Sequence, residues 1–318
     1  KKIIDLKDEE SFWLDKFSGE LPIINIPASL KRPIKKTFNG RSIVNSFSVE
    51  ATQKIKSFSE DNATTLFTTL MTGINGLLYR YTNQNDIIIG IPSSGREHPD
   101  LKNKIGLYIN TLAIRTKFEK DTTFHQLLQT QEKELFQAYS NQDYPFDRLV
   151  NKINVNRDTS RSPLFDIMAV LQNHETVIDS SEVEDTSVNG NDSVDSTVSK
   201  FDLTFSFIEQ GTTLLLDIEY NTDIFNESVI HNLMNHLEMF LVTAIDEQEK
   251  ELGEIVFISE NEKKQLVQEY NATTIAYPEN ETIVSLFEKQ CKATPNETAF
   301  VFNLKTPFAS TLEKSFTP

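Results

Sequence analysis

NATTLFTTLMTGINGLLYRYTNQNDIIIGIP, residues 62–92, changes its period part-way along. In the first two-thirds Leu66, Phe67, Leu70, Met71, Ile74, Leu77, Leu78 and Tyr81 recur at three- and four-residue intervals, which places them on one stripe of an α-helix. Asn62 or Thr64 is the candidate cap, so a helix is predicted over 62–81. DIIIGIP (86–92) is instead continuous, β-branched and closed by proline, the pattern of a strand covered on both faces. A helix feeding directly into such a strand predicts an α/β fold.

Working outward, the polar loop SSGREHPDLKN precedes IGLYINTLAIRTKF (105–118), whose Leu112, Ile114 and Thr116 alternate with Ala113 and Arg115 and predict a second strand. Asp121-Thr122-Thr123 opens a helix running to Ser140, with Phe124, Leu127, Leu128, Leu135 and Ala138 inward. NQDYPFDRLV (141–150) stops it, because Pro145 lacks a backbone donor and pushes Tyr144 toward an extended conformation. PFDRLVNKI restarts as a short helix, with proline in its first turn and Asp147 near its positive end. SPLFDIMAVLQN (162–173) reads as another buried strand.

Between His174 and Lys200 the chain is acidic, rich in serine and threonine and free of aromatic residues, which predicts a solvated, weakly ordered insertion. FDLTFSFIE and TTLLLDIEYN, separated by Gln210 and Gly211, each have period two and predict a hairpin. NESVIHNLMNHLEMFLVTAIDEQ (226–248) is an amphipathic helix with Asn226 as its cap. The expected architecture is a mixed β-sheet covered by the helices at 62–81, 122–140 and 226–248. From about residue 250 the pattern breaks into short pieces, and the final NLKTPFASTLEKSFTP has neither period.

The 318 residues carry 47 Asp and Glu against 31 Lys and Arg, a net charge of −16 that repels nucleic acid and anionic membrane unless a local patch reverses it. No basic run stands out as such a patch. Cys291 is the single cysteine, which rules out an internal disulfide framework and a cysteine-based metal site and suits a reducing cytosol. The opening KKIIDLKDEE lacks the apolar core of a secretory signal, and no run approaches the length of a membrane span. A cytoplasmic protein is expected.

His98, His125, His174, His231 and His236 have no partner at metal-ligand spacing, and His231 and His236, five apart, point to different faces of their helix. There is no G-x-S-x-G elbow, no glycine-rich phosphate loop before a helix and no H-E-x-x-H. Cys291, inside an amphipathic helix, reads as a small core hydrophobe. The remaining polar clusters are Asn110-Thr111 ahead of Arg115, Asn141-Gln142-Asp143, and Arg157-Asp158-Thr159-Ser160-Arg161. Physically these are caps and turn formers, with two arginines flanking Asp158 to tie loops together, or else groups lining a cleft at strand ends.

Three of these stretches, in order and at their spacing, resemble motifs of the condensation domain of nonribosomal peptide synthetases, within the chloramphenicol-acetyltransferase-like acyltransferase superfamily. IGLYINTLAIR (105–115) is similar to I-G-x-F-V-N-T-x-x-x-R, NQDYPFD (141–147) to H/N-Q-D-Y-P-F-E, and RDTSRSPL (157–164) to R-D-x-S-R-N-P-L. Tyr108, Ile109, Asp147 and Ser162 depart from those patterns. The resemblance implies an acyltransferase-like lobe over residues 1–258, a linker at 259–276, the start of an adenylation domain at 277–302, and a tail at 303–318 that resembles nothing identified.

The same resemblance implies a function. Condensation joins an upstream acyl thioester to a downstream amine, both held on phosphopantetheine arms of carrier proteins, in a tunnel between two lobes. The family's H-H-x-x-x-D-G motif does not occur in this sequence, so the chain resembles the C-terminal lobe, with no catalytic residue, metal or directly bound cofactor of its own. Its implied partners are carrier proteins, an N-terminal lobe and an adenylation domain, and neither nucleic acid nor membrane. Arg115 would pair with the aspartate of the missing motif. Asn110, Thr111 and the turn carrying Arg157, Asp158, Ser160, Arg161 and Pro163 would lie near the tunnel, with Asp143 and Tyr144 bracing the corner at Pro145 beside it. Alternatives are a non-catalytic docking module and an epimerisation or heterocyclisation relative. A lone half-domain is also expected to expose apolar surface.

Overall fold

The computed structural model describes residues 6–96, 104–153, 158–172, 198–274, 276, 279–298, 300–304 and 312–316. The chain forms two compact units, Lys1–Ile258 and Ser259–Pro318. In the first, helices α1 (Lys7–Lys16), α2 (Val49–Asp61), α3 (Leu66–Thr82), α4 (Phe124–Ser140), α5 (Phe146–Lys152) and α6 (Glu227–Asp246) accompany six strands. These are β1 (Gly40–Ser46), β2 (Asp86–Ser93), β3 (Asn110–Lys117), β4 (Ile167–Gln172), β5 (Leu203–Gln210) and β6 (Thr213–Asn221). They form one sheet in the order β1-β6-β5-β4-β2-β3. β4 runs parallel to β2 and β5, whereas the β2–β3, β5–β6 and β1–β6 pairs are antiparallel, so the sheet is mixed.

Local chemistry accounts for most element ends. Thr65, rather than Asn62 or Thr64, caps α3 by accepting from the Thr68 N–H, and Asn83 closes the helix in the left-handed conformation. Thr123 and Gln126 form a reciprocal capping box at the start of α4. Pro145 sits at the N-cap of α5, one residue ahead of the first turn. Asn226 has an N-cap backbone, yet its side chain makes no capping bond, and its own N–H donates to Ser29 Oγ. The β5–β6 hairpin turns at Gly211, which takes φ +58°.

The helices α2, α3, α4 and α6 pack into a layer on one face of the sheet. At Gly76 any side chain would strike the ring of Phe240, so glycine is what lets α3 and α6 approach so closely. The other face carries α1, α5 and the segment after α1. Both sides of β3 are covered, which its alternation alone did not show. Thr116 reaches Gln131 on α4 while Arg115 reaches the Lys16 and Glu20 carbonyls on the opposite side, and both residues are buried. β4 is less enclosed than expected, with Met168 and Val170 only half-buried.

The acidic insertion between His174 and Lys200 lies outside the described residues except for Val198, Ser199 and Lys200. The second unit contains α7 (Glu260–Lys264), a π-helical turn at Gln265–Glu269, α8 (Ile283–Ala293), and an antiparallel pair of strands, β7 (Phe300–Leu304) and β8 (Leu312–Phe316). A strand therefore occupies part of the aperiodic tail. Cys291 is half-buried on α8, which has no buried residue. Among the described residues no helix is long and apolar enough to cross a membrane.

Candidate functional site

The proline corner is held from beneath by one side chain. Asn110, at the first position of β3, donates from Nδ2 to the Gln142 and Tyr144 carbonyls at 2.8 and 2.9 Å and accepts from the Phe146 N–H at 3.2 Å. A single amide thus satisfies three backbone groups that the broken helix leaves open. Trp13 Nε1 donates to the Asn141 carbonyl at 2.9 Å, and the Tyr144 hydroxyl donates to Glu10 Oε2 at 2.9 Å. Glu10 also pairs with Lys152 on α5. Burial, and then the Glu10 carboxylate, push the Tyr144 phenol up to about 12. Thr111 pairs in register with Pro92. Asp143 is exposed and makes no side-chain bond with any described residue, so it does not brace the corner.

The second construction is the turn at 158–166. Asp158 Oδ1 accepts from the Ser160 N–H and hydroxyl at 2.8 and 2.7 Å, and those bonds hold its carboxyl below the usual range. Arg161 does not pair closely with Asp158, whose nearest approach is 3.9 Å. Its guanidinium goes to Asp166 Oδ2 at 2.6 Å and the Ile24 carbonyl at 3.2 Å. Arg157, the other arginine flanking Asp158, lies outside the described residues. Buried Asp202 meets Arg32 through Nη1 at 3.1 Å, and burial raises the Asp202 carboxyl despite that partner.

The turn ends in a backbone kink. The Phe165 N–H donates to the Pro163 carbonyl at 2.9 Å around Leu164, whose φ is +67°. This is a γ-turn with a left-handed leucine at its centre, a strained conformation for a non-glycine residue. Phe165 is thereby laid over Gly90 of β2, where a Cβ added to the glycine would lie 2.1 Å from the ring.

Between these constructions lies an open cleft of about 910 Å³. One wall is Leu14 of α1 and the segment after it from Phe17 on, another is α5, and the third is the 158–166 turn, with Asp86 and Ile88 at the base. Arg115 sits beneath and donates to Asp86 Oδ1 and Oδ2 at 2.9 and 2.7 Å as well as to two carbonyls. Asp86 is thus a partner within this chain, other than the motif aspartate that the resemblance implies. Asp158, Arg161 and Pro163 line the cleft and Ser160 braces Asp158, whereas Asn110, Thr111, Tyr144 and Pro145 do not line it. Beyond Phe165 the same face of the sheet continues half-exposed, in register rows of Met168, Thr204 and Glu219, then Val170, Ser206 and Asp217.

Sequence reasoning missed Glu10, Arg32, Asp166 and Asp202. A signal existed for the two aspartates, since each interrupts an apolar run, in LFDIM and KFDLTF, and a buried acid demands a cationic or hydrogen-bonding partner. Nothing local marks Glu10 or Arg32.

A family model described as Condensation domain matches residues 3–267. This chain belongs to the condensation-domain family. Among similar proteins, bacitracin synthase 1 of Bacillus licheniformis is 35% identical over 302 residues, covering 95% of this chain and 6% of that protein. Gramicidin S synthase 2 of Brevibacillus brevis is 36% identical over 294 residues, covering 92% of this chain and 6% of that protein. The chain thus spans a small part of these relatives. A crystal structure of a holo four-domain nonribosomal peptide synthetase, bound to AMP and glycine, superposes with a TM-score of 0.78 at 22% identity, over 94% of this chain and 24% of that one. The first condensation domain of the CDA synthetase gives 0.62 at 13% identity, over 80% and 53%. These structures share the condensation-domain fold, of which the mixed sheet and its helical layer are this chain's part.

Proposed function

We propose that this condensation-family chain forms one wall of a channel in which an amine attacks a carrier-bound acyl thioester. The carbon–nitrogen bond forms, the carbon–sulfur bond breaks, and the nitrogen proton passes through a base to the departing sulfur. The observation that carries this reading is the cleft, one wall of which is the turn bearing DTSRSPL (158–164), in a chain that matches the family over residues 3–267. Its lining mixes apolar side chains such as Leu14, Phe17 and Ile153 with polar ones such as Asn151 and Arg161, which suits a phosphopantetheine arm with its dimethyl and amide segments. That arm, on a carrier protein, supplies the thioester.

In this reading the residues here position rather than transfer protons. Arg115 and Asp86 hold the floor, Asn110 holds the corner, and Arg161 with Asp166 holds the far wall. The base comes from the H-H-x-x-x-D-G lobe, a partner polypeptide segment. The test is reconstitution: this chain, a matching N-terminal lobe and two aminoacyl-loaded carrier domains, with the amide product followed by mass spectrometry. Product is expected only in the complete mixture. Product from this chain without the lobe, or none from the complete mixture, overturns the reading.

A further inference from the structure

Residues 30–38, LKRPIKKTF, hold four basic residues and no acidic one in a chain of net charge −16. The structure pins this strap along the outside of the turn whose inside lines the cleft. Arg32 Nη1 donates to the Ser160 carbonyl at 3.2 Å, the Thr159 hydroxyl to the Ile34 carbonyl at 3.1 Å, and the Lys36 N–H to the Thr159 carbonyl at 2.8 Å. Two of the four cations are used inward, Arg32 on Asp202 and Lys36 on Ser162. Lys31 and Lys35 are exposed and pair with no described residue.

Between these lysines and just beyond them the strap presents apolar side chains to solvent. Ile34 is 89% and Phe38 53% exposed, and Val198, at 57%, joins them where the Ser199 N–H donates to the Phe38 carbonyl. Exposed aliphatic and aromatic side chains flanked by cations have the composition of an interface, with anchors inside and charge at the rim. The absence of a basic run, expected from the sequence, is corrected here: the run is short, and its effect is local.

We propose that this strap is the docking platform for a carrier domain, with Ile34 and Phe38 as apolar anchors and Lys31 and Lys35 engaging anionic groups. This rests on the condensation reading and adds where the partner sits. A carrier delivers a thioester on an arm joined through a phosphodiester, so its anionic root must rest at the mouth of the cleft while the arm enters. The strap is the cationic surface bonded to that mouth. Nucleic acid, the other common polyanion, is repelled by the chain as a whole.

The test titrates a purified peptidyl carrier domain, loaded with phosphopantetheine, into this chain and into two variants. The variants are the double substitution Lys31→Glu with Lys35→Glu, and Ile34→Ser, all at exposed positions. Binding is expected to weaken roughly tenfold or more in the double variant, mostly through slower association, and to fall with salt in the wild type. Lys133→Glu, on the exposed side of α4, serves as the control and should change nothing. Equal binding by wild type and double variant, or an effect of Lys133→Glu as large, overturns the platform while leaving the condensation reading intact. No binding by the wild type, together with no product in reconstitution, removes both.

Discussion

Arg115 grips Asp86 from the neighbouring strand with one edge of its guanidinium, Nε to Oδ1 at 2.9 Å and Nη2 to Oδ2 at 2.7 Å. The arginine side chain is 3% exposed and its partner 30%, so the pair is enclosed on one side and wetted on the other. Two further bonds reach the Lys16 and Glu20 carbonyls, which ties the floor of the cleft to the segment that walls it. Arg115→Ala is expected to cost about 3 kcal/mol, the low end for breaking a buried pair because Asp86 keeps some water. Arg115→Lys should recover only part of this, since an ammonium lacks the planar fork. Denaturant midpoints at unchanged slope measure both.

Gly90→Ala should destabilise by about 1–3 kcal/mol through overpacking, because the new methyl group meets the Phe165 ring. Phe165→Leu in the same chain should relieve part of that loss. Additive costs in the double-mutant cycle would show that the two sites do not touch.

Asn110→Ala strips three bonds from the 141–146 corner and should cost roughly 2 kcal/mol. The Tyr144 and Phe146 amides should then exchange hydrogen faster than those in the middle of α4. Unchanged protection at the corner would mean that the proline turn holds itself.

Tyr144 makes stability depend on alkaline pH. Its folded pKa is raised, to about 12 from 10.0, so the contribution of the neutral phenol is complete below pH 10 and disappears as pH rises toward 12. Tyr144→Phe should flatten the fall in unfolding free energy across that window, and the neutral-pH loss should be small because the ring stays buried. An identical alkaline slope in the variant counts against this assignment.

The long helices were legible from their period: α4 and α6 bury the face that the spacing selects, whereas α3 is buried all round from Thr68 to Tyr79, with Leu66, Phe67 and Tyr81 of its stripe only half-buried. Of the motif stretches, 158–164 lines the cleft, Arg115 reaches it only through Asp86, and 141–147 does not line it. Individual roles were less so. Asp143 looked like a brace and faces solvent, Arg161 looked like a partner for Asp158 and grips Asp166, and Arg115 has its partner two positions along the adjacent strand's ladder.

The order of amino acids by itself determined the long helices and the strands between residues 62 and 248, because period and capping act over three or four residues along the chain. It also set the mixed composition of the strap and the proline that breaks the helix before Phe146. Tertiary structure alone decided which charges meet. Glu10 finds Tyr144 and Lys152, and Arg32 finds Asp202, across more than a hundred residues. Such pairs are selected by the desolvation of groups that folding brings together, and no local pattern records that encounter.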